Sequence, residues 1–524
     1  MAPTFAEPWV HHEDEHVLIV RKPAGVNTHR ADPDAQDGMY EWVQRQRPAE
    51  SLSILHRLDK TTSGLLLFGK STKANRSLAA QFQERRVAKS YELIAGRDDR
   101  RPQELTCREP LGGLAASTDF TSAEVGAHHQ RYLAVPHTGR THQVRAHAAA
   151  LGLPILGDAD FGGGEAARLF LHAAGLGFDH PETGPAEVAW PIPRSFGQAL
   201  AGERAEDLTG PGLASLVAHE SRAVLFDPSD TDAYLWIDRH HDGFPGTRVE
   251  RLGDVALVIT HRDDDAPIDP RWVAAWLEVP GVGSVYEQRR PRGGGGGPAQ
   301  LVAGDARSQF EVTELGCRYL IDLDASATSS GLFLDQRETR RRLLTADLSG
   351  RTVLNAFAHT GSLSVAAALA GATTLTLDLS KRYLAWAEDN LRANGVDPAD
   401  HDSVFGDAIE WMDRFARKGR TFDLVLVDPP SSSTARRGGG RWVVDRDLHG
   451  LVERAARLCA PGGMVYVSTN LRAMSWERFD RHLQQGLAAA GRGGAVEHHT
   501  LPLDHRSGAG DPPYLKAAWL SLDV

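Results

Sequence analysis

Strand and helix patterns that alternate along most of the chain predict a multi-domain protein of mixed α and β structure, ending in a doubly wound α/β unit. Three observations carry this. At 524 residues the chain is too long for one core, and roughly 100–200 residues per domain gives three or four. Residues 351–395 read as strand, turn, helix, strand and helix in succession. Residues 231–261 alternate apolar and polar positions around the turn Asp242–Gly246, the pattern of a small antiparallel unit.

Composition sets outer limits. Hydrophobic residues make up 41% and charged residues 24%, ordinary values for globular protein. Three well-separated cysteines, Cys107, Cys317 and Cys459, form neither a disulfide framework nor a metal-ligand spacing, so a reducing compartment is expected. No basic start leads into an apolar run, and no stretch approaches about 18 consecutive apolar residues. A soluble, cytoplasmic protein without a membrane partner is the expectation. The net charge of -11 argues against an indiscriminate nucleic-acid coat. It leaves room for a nucleic-acid enzyme, because phosphate is met by local cations. Such clusters occur at Arg85, Arg86 and Lys89, at Arg289, Arg290 and Arg292, at Arg340–Arg342, and at Arg436, Arg437 and Arg441. Each reads by default as a solvated face; the last flanks the glycines Gly438–Gly440.

In chain order, residues 17–21 form a short apolar strand ending at the turn Lys22-Pro23-Ala24-Gly25. The preceding His11, His12, Glu13, Asp14, Glu15 and His16 are not expected to make a metal site, since adjacent side chains diverge where ligands must converge. In "ILHRLDKTTSGLLLFGKS", a charged cluster of His56, Arg57, Asp59 and Lys60 precedes the buried-strand pattern Leu65–Phe68. A carboxylate flanked by cations favours its ionised form. Taken alone, Asp59 divides evenly between a structural ion pair and a catalyst. A helix carrying Leu78 and Phe82 follows, then a strand beginning at Tyr91. A later strand ends at Pro136, and a helix then carries His142, Arg145 and His147. The planar guanidinium of Arg145 suits a buried carboxylate.

Taken together, "KPAG", "HRLDKTTSGLLLF", "KSY", "TGRTHQVRAH...LPILGD" and "RLFLHAAGLGFDHPETG" resemble the RluA-type pseudouridine synthases. The resemblance implies an α+β domain on a mixed antiparallel sheet over residues 1–212, needing no cofactor. It makes Asp59 the catalytic aspartate, Tyr91 the aromatic that stacks on the target base, and Arg145 the partner of Asp59. Relatives often carry an N-terminal S4 RNA-binding domain. Here the motifs begin at once, so RNA is expected to be held elsewhere. The residue types suit the reaction. Breaking C1′–N1, turning the uracil and joining C5 to C1′ needs a carboxylate at the sugar and a pocket that excludes water. The aspartate has two routes, attack on the sugar or proton abstraction, and the sequence does not choose. The uridine must leave its stack, which accounts for an aromatic platform.

Residues 201–222 loosen into a polar stretch that reads as a boundary before a small α/β domain, 220–308, with a helix over Pro270–Leu277 and a strand at "VGSVYEQ". The glycines Gly293–Gly297 lack the flanking strand and helix of a phosphate loop. Over 309–524 the pattern is Rossmann-like: strand Val353–Phe357, helix Leu363–Leu369, strand Thr374–Leu377 ending at Asp378, helix Lys381–Leu391. A nicotinamide cofactor and S-adenosylmethionine fit this equally well. "FDLVLVDPPSSS" separates them, because a strand delivering Asp428-Pro429-Pro430 presents carbonyls and a carboxylate to a base beside a sulfonium methyl.

This region, with "SSGLFLDQRETRRRL" and "DLSKRYLAWAEDN", resembles class I S-adenosylmethionine methyltransferases of the RlmI/RlmK-like ribosomal RNA subfamily. Ser330 stands where threonine is usual. The resemblance implies S-adenosylmethionine as cofactor, Asn355, Phe357 and Gly361 lining it, Asp378 on its ribose, Asp407 near its adenine, and Asp428 beside the methyl-transfer site. Methylation at cytosine C5 needs a cysteine thiolate, and the relatives' position for it reads Ser468-Thr469-Asn470 here; Cys459 reads as a core thiol. Ser431 replaces the aromatic of exocyclic-amine enzymes. Guanine N7, which has a free lone pair, is the favoured atom. The expectation is a bifunctional enzyme of 23S ribosomal RNA, without metal. The alternatives are methylation at cytosine C5 or an RNA-binding assembly factor with an inert catalytic domain.

Overall fold

The computed structural model describes residues 5–48, 50–244, 246–261, 266–290, 297–325, 329–433, 442–499, 501–506 and 513–523. The glycine loop at 293–296 and the cluster at Arg436, Arg437 and Arg441 lie outside them.

The first unit is built on ten strands: β1 (Val10–Glu13), β2 (Val17–Lys22), β3 (Ser53–Ile54), β4 (Ser63–Gly69), β5 (Ala88–Gly96), β6 (Glu104–Cys107), β7 (Thr118–Val125), β8 (His129–Pro136), β9 (Leu171–His180) and β10 (Gly184–Ala189). They run in the order β1-β2-β4-β9-β5-β8-β7-β6, with β3 on β4 and β10 on β9. All pairs are antiparallel except β4–β9. Helices α1 (Met39–Gln46), α2 (Thr72–Gln83) and α3 (Gln143–Ala150) flank the sheet. Every residue of β4 is buried, as expected for a strand covered on both faces. Gly64 is required there: its φ is +140°, and a Cβ would stand 2.4 Å from the Ala173 carbonyl oxygen on β9.

The stretch 201–222 is not the loose polar linker its composition suggests. After α4 (Arg194–Ala201), it folds as α5 (Ala205–Thr209) and α6 (Pro211–Ala223), because Leu213, Ala214 and Ala218 give α6 an apolar face to bury. Arg222 is wholly buried and grips both oxygens of Asp242 at 2.8 and 2.6 Å. The joint is therefore packed.

The second unit has strands β11 (Ala233–Asp238), β12 (Thr247–Leu252), β13 (Val255–Thr260), β14 (Ser284–Arg289) and β15 (Gln300–Gly304), side by side in that order. The antiparallel start β11-β12-β13 is as the alternation predicts. Helix α7 (Pro270–Leu277) then crosses over, so β14 lies parallel to β13. One face of this sheet joins Trp9, Trp42 and Phe68 of the first unit around Trp236 and Trp276. Side chains of the other face join Leu343, Val353 and Trp519 of the third. A hairpin, β16 (Gln309–Glu314) and β17 (Cys317–Asp322), leads to α8 (Arg337–Thr345).

The third unit alternates β18 (Thr352–Ala356), α9 (Ser362–Leu369), β19 (Thr373–Asp378), α10 (Lys381–Ala393), β20 (Asp402–Phe405), α11 (Ala408–Arg417) and β21 (Phe422–Val427). The hairpin β22 (Ser432–Ser433) and β23 (Trp442–Val443) follows, then α12 (Val444–Leu458), β24 (Cys459–Thr469), α13 (Trp476–Ala490), β25 (Gly494–His499) and β26 (Lys516–Leu522). The sheet order is β20-β19-β18-β21-β24-β26-β25, parallel through β24 and antiparallel beyond. Strand order reverses between β18 and β21, where ligands sit in such sheets.

The run Arg340–Arg342 is no solvated face. Arg340 and Arg337 are fully buried on Glu314, and Arg337 also holds Asp504 at 2.7 Å. Arg341 and Arg342 cover the rings of Phe5 and Trp519. The desolvation of these charges is offset only because each has its partner.

Candidate active sites

The first site forms where β4, β5 and α3 converge on a cavity of about 1190 Å³ lined by Asp59, Tyr91, His142 and Arg145. Asp59 sits on the turn before β4. The Thr28 hydroxyl donates to the Leu58 carbonyl at 2.9 Å and accepts the Leu58 N–H at 3.0 Å, which fixes the backbone beside Asp59. Buried Lys22 donates its ammonium to the carbonyls of Pro23, Val26 and Lys60. One Asp59 oxygen lies 3.5 Å from Arg145 Nη1, the other 3.6 Å from His142 Nε2.

Two expectations need correction. The two-toothed grip of Arg145 falls on Asp158, at 2.8 and 2.6 Å, with Asp160 at 2.8 Å. Asp59 takes the remaining nitrogen at longer range. The reason is burial: the Asp158 side chain is wholly enclosed and Asp59 is 28% exposed, so the enclosed charge takes the better geometry. His56 is also not part of the charged cluster. Burial pushes its pKa down to about 3, its Nε2 accepts the Leu67 N–H at 3.0 Å, and its ring stacks on Phe82. Arg85, Arg86 and Lys89 line the cavity. Burial, and next the charge of Asp59, pushes the Tyr91 phenol well up, so it offers a neutral hydroxyl.

The second site lies at the carboxyl edge of the third sheet. After β18 the chain passes through left-handed backbone at Phe357, His359 and Gly361. At Gly361 a Cβ would meet the Ala387 Cβ at 2.5 Å, so α10 packs directly on the loop. Asn355 is 2% exposed and donates its amide to Ser364 at 2.9 Å, bracing α9 beneath the loop. Asp378 accepts the N–H groups of His359 and Ser380 at 2.9 and 2.8 Å, and burial raises its pKa. Asp407 caps α11 through Ile409 and Glu410. The Phe357 ring faces Trp442 of β23.

Asp428 ends β21 in a closed cradle. Ser468 donates to one oxygen at 2.6 Å and Gln336 to the other at 3.0 Å. The Gln336 amide is itself oriented, since its oxygen accepts from Thr339 at 2.8 Å and Tyr466 at 2.7 Å. Burial pushes Asp428 up to about 6, against the pull of these donors. Ser431 donates to Asn470 across the edge.

Of the predicted residues, Asp59, Tyr91 and Arg145 meet in one cavity. Phe357, Gly361, Asp378, Asp407 and Asp428 share one sheet edge, with Asn355 beneath it. Gln336, Tyr466, Asp158 and Thr28 were not singled out. Gln336 and Asp158 lie inside quoted motifs, but their roles are set by distant residues. Among the described residues, no cluster of His, Cys, Asp and Glu could hold a metal ion, and no helix is long and apolar enough to cross a membrane.

Residues 16–150 match the family model for RNA pseudouridylate synthase, and residues 272–483 that for S-adenosylmethionine-dependent methyltransferase. The chain is 39% identical over 197 residues to ribosomal RNA large subunit methyltransferase K/L of Allochromatium vinosum, covering 37% of this chain and 26% of that protein. It is 38% identical over 171 residues to methyltransferase K of Neisseria meningitidis serogroup B, covering 32% and 48%. YwbD of Bacillus subtilis, provisionally named a ribosomal RNA large subunit methyltransferase, is 29% identical over 58% of this chain and 78% of its own. The chain thus spans a quarter to a half of the first curated relatives it matches. Among solved structures, SMU.776, provisionally assigned as a methyltransferase and complexed with SAH, has a TM-score of 0.54 at 24% identity over 68% of this chain and 89% of its own. That likeness speaks to fold.

Proposed function

We propose that this chain, which joins an RNA pseudouridylate synthase domain to an S-adenosylmethionine-dependent methyltransferase domain, isomerises a uridine and methylates a base of large-subunit (23S) ribosomal RNA in the cytoplasm. Its three units would be residues 1–212, 220–308 and 309–524. The observation that carries the first activity is the convergence of Asp59, Tyr91 and Arg145 on one cavity.

There Asp59 would meet the positive charge that develops at C1′ as the bond to N1 breaks, by attack or by field. Arg145, anchored on Asp158, keeps the carboxylate aimed. The neutral hydroxyl of Tyr91 suits proton transfer at the turning base. The C5 proton leaves once C5 is joined to C1′, and the net change is isomerisation.

For the second activity, the residues fit S-adenosylmethionine. The left-handed loop 357–361 would let backbone approach a ligand closely, and His359 Nε2 is buried with no partner among the described residues. Phe357 and Gly361 would border the cofactor above Asn355, Asp378 would hold its ribose and Asp407 would lie near its adenine. When bound, it supplies an electrophilic methyl group. Asp428 and the Pro429–Pro430 turn would orient the acceptor base. Guanine N7 is the favoured atom, since a lone pair needs only orientation. Thiolate-assisted methylation at C5 is disfavoured: the Cys459 thiol is pushed up to about 12 by burial and donates to the Met464 carbonyl. Purified protein, labelled S-adenosylmethionine and unmodified 23S ribosomal RNA test this. One labelled guanosine carrying N7 methyl is expected; label on cytosine, or none, would refute the assignment.

A further inference from the structure

Beside the methyl-transfer edge, the second and third units bring together four cations, of which only Arg248 has a carboxylate partner among the described residues. Lys516 opens β26, paired with Thr469 of β24 in register. Its side chain is 1% exposed and has no hydrogen-bond or ion-pair partner among the described residues. Exposed Arg472 stands next to it and lies 5.2 Å over the ring of Tyr514. The Tyr514 hydroxyl donates to Asp335 at 2.9 Å. Arg248, reaching over from β12, lies near the same Tyr514 hydroxyl. Arg239, just past the end of β11 and held in left-handed backbone at φ +53°, is close enough to Arg472 and Arg248 to feel both charges and likewise has no ion-pair partner among the described residues.

The nearby carboxylates are already engaged. Glu250 accepts from Arg248 at 3.1 Å, Asp238 from the Arg506 N–H at 3.0 Å, and Asp335 from Tyr514. Burial, and then mutual repulsion with Arg472, lowers the proton affinity of both Arg239 and Lys516. Arg239 and Arg472, which have no ion-pair partner among the described residues, stand beside the paired Arg248 and leave uncompensated positive charge for an anion from outside.

We infer that Arg239, Arg248 and Arg472, with the enclosed charge of Lys516 behind them, form a phosphate-binding track for the RNA backbone that flanks the base presented to Asp428. This rests on the methyltransferase reading above. It gives the second unit a role, since Arg239 and Arg248 both belong to it. It also accounts for RNA binding by a chain of net charge -11.

The test is the salt dependence of binding between the full chain and a 23S ribosomal RNA transcript. Each phosphate contact contributes about 0.7 to 0.9 to the slope of log affinity against log salt. The double variant Arg239→Gln/Arg472→Gln should therefore lower the slope by about 1.4 to 1.8, with S-adenosylmethionine affinity unchanged as a check on folding. A control, Arg100→Gln/Arg204→Gln, removes equal charge at sites 94% and 75% exposed and should leave it within a few tenths of wild type. An unchanged slope in the first variant, or an equal fall in the control, would overturn the track. A wild-type protein that binds the transcript but transfers no methyl group would fail the proposed function, and the slope comparison would still decide the track.

Discussion

Replacing Asp428 by asparagine should stabilise the protein while abolishing methyl transfer. The carboxyl is half-buried among neutral donors, and its pKa is pushed up to about 6 against an ordinary 3.8. A proton affinity raised about a hundredfold on folding means that the ionised form opposes folding by about 3 kcal/mol. The direction follows from linkage. Between pH 4 and 6 the folded state binds more protons than the unfolded, so stability falls as pH rises through that window and stays lowered above it. Asparagine keeps both neighbours satisfied: its oxygen accepts from Gln336, and its amide donates to the Ser468 hydroxyl. The expected gain is about 2–3 kcal/mol at pH 8, or roughly 4–12 °C in the melting of a unit of about 200 residues, vanishing by pH 4. Scanning calorimetry of wild type and variant from pH 4 to 8 measures it. A gain independent of pH, or none at pH 8, would refute a carboxylate whose ionised form is disfavoured by burial.

Two further outcomes follow from the cradles. Arg145→Met leaves the enclosed Asp158 carboxylate without its partner, and should cost about 3–5 kcal/mol in the first unit; calorimetry that finds the melting profile unmoved would show Asp158 is not held as described. Gln336→Leu removes a donor that favours ionised Asp428, so the acid limb of the methyl-transfer pH profile should move above pH 6, and a limb left in place would contradict that cradle.

The sequence makes regular elements legible wherever period and burial agree. Leu65–Phe68 reads as a strand because both of its faces are covered, and Pro270–Leu277 reads as a helix because its cap and apolar face coincide. The joint at 201–222 fails that reading because glycines and polar residues around α5 and the start of α6 hide the apolar face of Leu213, Ala214 and Ala218. The site aspartates are visible through their motifs, but their cradles are not. Asp158 captures Arg145 because it is the better buried carboxylate, a comparison that exists only after folding. Gln336 reaches Asp428 from another element, and Arg340, one of three consecutive arginines, is buried because Glu314 on a distant hairpin meets it.

The most direct test of a chain with two independent centres is mass-spectrometric mapping of 23S ribosomal RNA from cells expressing wild type, Asp59→Ala or Asp428→Asn. The account predicts that Asp59→Ala loses one pseudouridine and keeps the methyl mark, while Asp428→Asn loses the methyl mark and keeps the pseudouridine. Residual isomerisation in Asp59→Ala, or loss of both marks in either variant, would contradict it.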